Sequence, residues 1–301
     1  MGDFWQRLRL TLDMIKFEHS VFALPFALTG ALLAWRDARF NISGLGVRLI
    51  WIVVAMVGAR SAAMAFNRIL DAGIDARNAR TAGRHLPAGL LSHRFAWGFT
   101  VAASLIFLLA ARELGRACFL FAPVVLALLF FYSFCKRFTT NAHLVLGFCL
   151  GIAPAGAWIG IRGALDPRIL WLTAAVTFWT AGFDVIYACQ DYEFDSQEGL
   201  YSIPRAFGVA RALIIARLMH VAMIICLILL AVQFQLGFLS LGGIALVIAL
   251  LLYEHSLVRP GDLSKVNVAF FTLNGYVSIL FFVFWSADIL LSKQFNLNAR
   301  F

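Results

Sequence analysis

The stretch NRILDAGID sets Asn67, Asp71 and Asp75 four residues apart at the end of a long apolar run. On a helix, positions i, i+4 and i+8 drift by only about 40° per step, so the three oxygen-bearing side chains share one face. Two carboxylates held together beside an apolar region repel each other unless a cation joins them. A few hard oxygen ligands without the loop pattern of an EF-hand suit magnesium, which keeps several waters and bridges protein carboxylates to phosphate. For one such series alone, a solvated helix end with capping acids is an equal alternative.

The series has an echo. FDVIYACQDYEFD carries Asp191 and Asp195 at the same DxxxD spacing, each 120 residues after its counterpart (191 against 71, 195 against 75). Asp184 and Tyr187 precede Asp191 by seven and four residues, which puts them on the same helical face, deeper in the run. An ionisable residue inside a span is a functional candidate, so Asp184 is expected to orient a ligand or accept a proton, with a buried hydrogen-bonded acid as the alternative. Between the two acidic series, YSFCKR places Tyr132 and Lys136 on one helix face, followed by Arg137. Such cations bind phosphate, or else serve as ordinary cytoplasmic anchors. Arg68, Arg77 and Arg80 flank the first series in the same way. The charges balance for two divalent cations and a diphosphate, with Lys and Arg offsetting the remainder. The two acidic series are expected to face each other across a shared cytoplasmic cavity.

These groups must be carried by membrane helices. Of 301 residues, 62% are hydrophobic and 14% charged, with a mean hydropathy of +0.85, outside the range of soluble domains. The apolar runs are continuous and do not alternate, which selects helices over a barrel. Nine spans are expected, at about 17–36, 48–70, 95–112, 116–135, 141–161, 169–190, 208–232, 236–254 and 267–291. The predicted fold is therefore all-α, a polytopic membrane bundle of nine transmembrane helices forming one domain over residues 1–301. The 120-residue offset suggests an internal duplication of spans 1–4 and 5–8. Pro25, Pro123 and Pro154 fall inside spans and are expected to kink them.

The two long connections, 71–94 and 191–207, both follow even-numbered spans and so lie on one side. That side holds fifteen of the 25 Lys and Arg, against nine on the other, with Arg60 inside the second span. The N-terminus and both acidic series are therefore expected to be cytoplasmic. The net charge of +9 is spread over loops, which argues for topology signalling and anionic lipid over nucleic acid. The first residues read as an amphipathic interfacial lead-in and not as a signal peptide. The five cysteines fall singly within spans and the histidines form no HExxH, so thiol or zinc chemistry has little support. A few aromatic rings, drawn from Phe66, Phe131, Trp158, Trp179, Phe183 and Tyr187, are candidates to stabilise a cation in a dry site. A cation-coupled transporter is the competing class, but its carboxylates belong near the bilayer midplane and not at helix ends.

NxxxDxxxD in NRILDAGID, YxxxK in YSFCK and DxxYxxxDxxxD in DVIYACQDYEFD, in that order on spans 2, 4 and 6, resemble the UbiA superfamily of intramembrane aromatic prenyltransferases. The likeness covers about 14–290, and KFEHSVFALPFA, RNARTAGRHLPAG and EGLYSIPRAFG look most like the bacterial 4-hydroxybenzoate polyprenyltransferase branch. The resemblance implies transfer of a polyprenyl group from its diphosphate to a ring carbon of an aromatic acid, in ubiquinone or menaquinone synthesis. It also implies a site facing the cytoplasm in the bacterial inner membrane. Asn67, Asp71, Asp75, Asp191 and Asp195 would hold Mg2+, Lys136 and the nearby arginines would neutralise the diphosphate, and Asp184 or Asp191 would take the ring proton. A naphthoate or another menaquinone-pathway acid is the alternative acceptor. Lys16, Phe17 and Glu18 stand where many members have Arg-Pro; Glu18 and His19 are candidate acceptor contacts or interfacial anchors.

Overall fold

The structure is a computed structural model that describes residues 2–16 and 22–298, with side chains for residues 5, 9–16 and 22–291. Phe17, Glu18 and His19 lie outside the described residues. Helices are α1 (Gly2–Met14), α2 (Leu24–Asp37), α3 (Leu45–Asp75), α4 (His93–Leu114), α5 (Arg116–Cys135), α6 (Ala142–Arg162), α7 (Leu170–Ala188), α8 (Tyr192–Glu198), α9 (Ile203–Phe207), α10 (Val209–Gln233), α11 (Phe238–Leu257) and α12 (Asn274–Asn298). Among the described residues there is no strand, as the apolar runs require. Among the described residues eight helical stretches are long and apolar enough to cross a membrane. The first expected span appears as α2, whose 14 described residues rise about 21 Å at ~1.5 Å each. Pro123 and Pro154 lie inside α5 and α6, as anticipated. Pro25 instead stands in the first turn of α2, where its missing N–H costs nothing, so it opens that helix and does not kink it.

The chain divides into two compact units, Met1–Ser20 with Ile50–Phe134, and Val21–Leu49 with Cys135–Phe301. In the first, α3 approaches α4 at Gly58, where a Cβ would lie 3.0 Å from Phe107 N and 3.1 Å from Ala103 O. Around this contact Ala62, Ala103, Phe107, Ala111, Ala122 and Leu126 are buried together. A second cluster, with Met14, Ile15, Ala65, Ala72, Leu86 and Leu91, fastens the end of α1 and the connection after α3 onto the last turns of α3. At 31 residues α3 is about 46 Å long at ~1.5 Å per residue, well beyond the ~30 Å hydrocarbon core. Its surplus turns can therefore carry charge.

In the second unit α7 is packed between α6 and α10. The small residues Gly147 and Gly151 on α6 let the α7 backbone approach so closely at Thr173 and Thr177 that no Cβ fits. Trp179, Phe26 and Phe281 fill the interior, with Phe26 stacked on Phe281 at 4.7 Å between ring centroids. α12 is preceded by a π-helical turn, Val268–Leu273. Asn274 donates through Nδ2 to the carbonyls of Ala269 (3.1 Å) and Phe270 (3.2 Å), and its Oδ1 accepts from Trp179 Nε1 (2.8 Å). The freed carbonyls of the wide turn are thereby satisfied inside the protein.

Candidate functional site

In the first unit, α3 stays helical to Asp75, so Asn67, Asp71 and Asp75 do occupy successive turns. Asn67 Nδ2 donates to Asp71 Oδ2 at 2.9 Å, and Arg84 Nη1 lies 2.7 Å from both oxygens of Asp75. Arg84 reaches back because residues 78–84 fold into tight turns, with Ala82 N donating to Asn78 O and Arg84 N to Thr81 O. Thr81 Oγ1 also donates to Asp75 O at 3.0 Å, which fixes the entry of this connection. Arg68 is partly buried, donates through Nε to Met14 O at 3.4 Å, and has Asp71, Asp75, Arg84 and Tyr132 as its charged and polar neighbours. Arg77 donates to Gly73 O, so its guanidinium caps the C-terminal carbonyls of α3. Asp13 at the end of α1 pairs with Lys16 and stands 3.3 Å from His85; the Lys16 hydrogen bond holds its carboxyl below the usual range against the opposing effect of burial.

In the second unit the sequence expectation needs a correction. Asp184, Tyr187 and Asp191 do not lie on one continuous α-helix: α7 ends at Ala188, Cys189–Asp191 form a 3₁₀ turn, and α8 starts at Tyr192. At about 120° per residue over three residues instead of 100°, that turn moves Asp191 from about 20° on one side of Asp184 to about 40° on the other, so the break interrupts the α-helix without taking Asp191 to an opposite face. Asp191 and Asp195 are both buried, at 8% and 2% exposure. Asp195 is hydrogen-bonded to Ser202, and Asp191, Lys136 and His143 are its other charged or titratable neighbours. Its Oδ2 is buried and has no partner. Lys136 is held in place through its own carbonyl, which accepts from Tyr201 N at 2.8 Å.

Asp184 Oδ2 lies 2.7 Å from His143 Nδ1 on α6, and His143 Nε2 in turn accepts from Ile203 N at 3.3 Å. The Tyr187 ring is 4.2 Å from Phe270 and 6.0 Å from Phe271, both on the π-helical turn. Trp158 and Trp179 are core residues, exposed by 1% and 0%, and Phe66 is packed among Trp97, Phe130 and Phe134. Among the remaining aromatic candidates Tyr187 and Phe66 are half-buried, Phe183 is buried and Phe131 is exposed. All five cysteines are free thiols, four of them buried.

The donors present are hard oxygens, and the unpartnered Oδ2 of Asp195 is a buried carboxylate oxygen that only a cation or a hydrogen-bond donor would compensate. This suits magnesium and disfavours a soft metal. Among the described residues no three His, Cys, Asp or Glu side chains are already gathered around one point. In the first unit the reason is visible: Arg84 draws Asp75 aside and Asn67 holds Asp71. Three residues beside the acidic groups of one unit or the other carry no signal in the acidic spacing. Arg84 lies within RNARTAGRHLPAG, Ser202 lies within EGLYSIPRAFG, and His143 stands 41 residues from Asp184 with no sequence periodicity to link them.

Comparison with known proteins gives consistent matches along the chain. The model of the UbiA prenyltransferase family matches residues 23–288. A 4-hydroxybenzoate octaprenyltransferase of Vibrio atlanticus is 29% identical over 79% of this chain and 84% of its own length. The apo structure of a UbiA homolog from Aeropyrum pernix K1 superposes with a TM-score of 0.80 at 34% identity, covering 91% of this chain and 98% of that one. A UbiA homolog from Archaeoglobus fulgidus, solved bound to GPP and Mg2+, gives a TM-score of 0.72 at 21% identity over 93% and 99% of the two chains.

Proposed function

This chain belongs to the UbiA prenyltransferase family, and from that premise we propose that it transfers a polyprenyl group from its diphosphate to a ring carbon of 4-hydroxybenzoate in quinone biosynthesis. The observation that carries the reading is the family match over 23–288 on a chain with two DxxxD series at the ends of apolar helices. The name of the Vibrio atlanticus relative supports the acceptor, and the Archaeoglobus fulgidus structure with GPP and Mg2+ supports the donor and the metal.

In this reading Asn67, Asp71, Asp75, Asp191 and Asp195 are the magnesium ligands. Mg2+ held by these side chains would supply Lewis-acid neutralisation of the departing diphosphate. Lys136, Arg137, Arg68 and Arg77, with the hydroxyl of Tyr132, offset the remaining phosphate charge. Tyr187 lines the prenyl or acceptor region beside Phe270. Asp75 becomes a ligand only when Arg84 lets it go, and the guanidinium then has a phosphate oxygen as its next partner. The excess of Lys and Arg on one side supports a cytoplasmic N-terminus, with both acidic series facing the cytoplasm at the bacterial inner membrane.

The test is the pool of intermediates in cells lacking this protein. The proposal expects 4-hydroxybenzoate to accumulate and its prenylated product to disappear. Persistence of the prenylated acid at its normal level overturns the choice of acceptor.

A further inference from the structure

Aromatic substitution includes one step for which the family resemblance leaves two candidates, Asp184 and Asp191: after the prenyl group has joined the ring, the hydrogen on that carbon must depart as a proton. Asp184, which is not among the expected metal ligands, is paired with a histidine. Its Oδ2 is 2.7 Å from His143 Nδ1, and the side chain keeps 16% exposure while His143 has none. The imidazole is buried behind the carboxylate, and Asp184 is the accessible end of the pair.

The backbone decides which nitrogen carries hydrogen. An amide can only donate, so Ile203 N bonded to His143 Nε2 makes that nitrogen an acceptor and leaves the hydrogen on Nδ1, directed at Asp184. Asp184 is thus held through Oδ2 and keeps Oδ1 for a proton. Ile203 is not placed by chance. It follows Ser202, whose hydroxyl bonds Asp195 and accepts from Arg205 N as the cap of α9, and Tyr201, whose N–H bonds the carbonyl of Lys136. Three consecutive residues therefore tie the Asp184 pair to two groups of the diphosphate site. Gly147, one turn beyond His143, permits the close approach of α6 and α7 that brings the pair together.

We infer that Asp184 is the proton acceptor of the transfer reaction and that His143, its tautomer set by the Ile203 amide, is the residue that positions it. The inference rests on the prenyl-transfer reading above. The balance is complete: the prenyl C–O bond to diphosphate breaks and a bond from the ring carbon to the prenyl carbon forms. The ring C–H bond then breaks, its electron pair restores aromaticity, and the proton passes to Asp184 Oδ1 and on to solvent.

The experiment compares the full-length wild type with Asp184→Asn, His143→Leu and His143→Asn, using Mg2+, geranyl diphosphate and 4-hydroxybenzoate with hydrogen or deuterium on the ring. For the wild type the inference expects departure of diphosphate to limit the rate and the isotope effect to be close to 1. Loss of a general base costs roughly 10²- to 10⁴-fold, so Asp184→Asn should slow transfer about 100-fold or more and raise the isotope effect above about 2, with the donor KM unchanged. His143→Leu should show the same isotope effect with a smaller loss of about tenfold. His143→Asn, whose amide can still donate to Asp184, should recover most of that loss. If Asp184→Asn transfers at the wild-type rate, or slows with an isotope effect still near 1 and a raised donor KM, the inference is wrong. If the His143→Leu protein does not fold, the Asp184→Asn isotope effect and the activity of His143→Asn decide between these outcomes. Failure of the wild type itself to make product counts against the prenyl-transfer reading as a whole.

Discussion

Arg84 Nη1 lies 2.7 Å from both carboxylate oxygens of Asp75, nine residues earlier in the chain. The pair is mostly withdrawn from water, with side-chain exposures of 29% and 9%, so it is not an ordinary surface ion pair. A metal that uses Asp75 must first displace a guanidinium. Arg84→Gln is therefore expected to tighten Mg2+ binding in the absence of donor by about tenfold, equal to ~1.4 kcal/mol, within the range for a charge-assisted hydrogen bond. Calorimetric titration of the purified protein checks this. Unchanged affinity in the variant would show that Asp75 is not a ligand.

Gly147 and Gly156 sit on the same helix in opposite circumstances. A Cβ on Gly147 would overlap the carbonyl of Thr177 and lie 3.3 Å from Ala181 Cβ, whereas one on Gly156 would meet nothing within 4 Å. Gly147→Ala is expected to destabilise the protein by about 1–3 kcal/mol through overpacking. Gly156→Ala should be neutral or gain up to ~1 kcal/mol from helix propensity. Thermal unfolding of both variants in detergent measures the difference, and equal midpoints would contradict the close α6–α7 approach on which the His143–Asp184 bond depends.

These two cases show what the sequence makes legible. Long apolar runs dictate helices, and DxxxD at i, i+4 and i+8 fixes which side chains share a face as long as the helix continues, which it does to Asp75. The residue types do not show that the α-helix gives way to a 3₁₀ turn at Cys189. Periodicity also says nothing of partners brought by packing. His143 and Asp184 are 41 residues apart on separate helices, and only the glycines of α6 hint that these helices touch. Arg84 is hidden for a different reason: its reach depends on the turns at 78–84, whose Asn, Thr and Gly content announces a loop but not its direction.

Asp166 offers a test of electrostatics away from the membrane spans. It accepts from Arg168 N at 2.8 Å and pairs with its guanidinium at 2.6 Å, and these bonds to Arg168 hold its carboxyl below the usual range despite partial burial. A depressed folded-state value means that the folded protein binds this proton less readily than the unfolded chain, whose value is about 3.9. The stabilisation is present above that pH and is lost as the pH falls through the folded value. Asp166→Asn should therefore lower the unfolding midpoint at neutral pH, with a gap to wild type that closes below about pH 4. A gap that stays constant into acid would mean that Asp166 acts only as a neutral cap.

The most direct test is diphosphate release by the purified full-length protein supplied with a polyprenyl diphosphate and 4-hydroxybenzoate. The expected result is release that requires Mg2+, matches the prenylated acid formed mole for mole, and falls by roughly 10³-fold in both Asp71→Ala and Asp191→Ala, as loss of Lewis-acid stabilisation of the leaving group demands. Metal-independent release, or full transfer by either variant, would contradict the account.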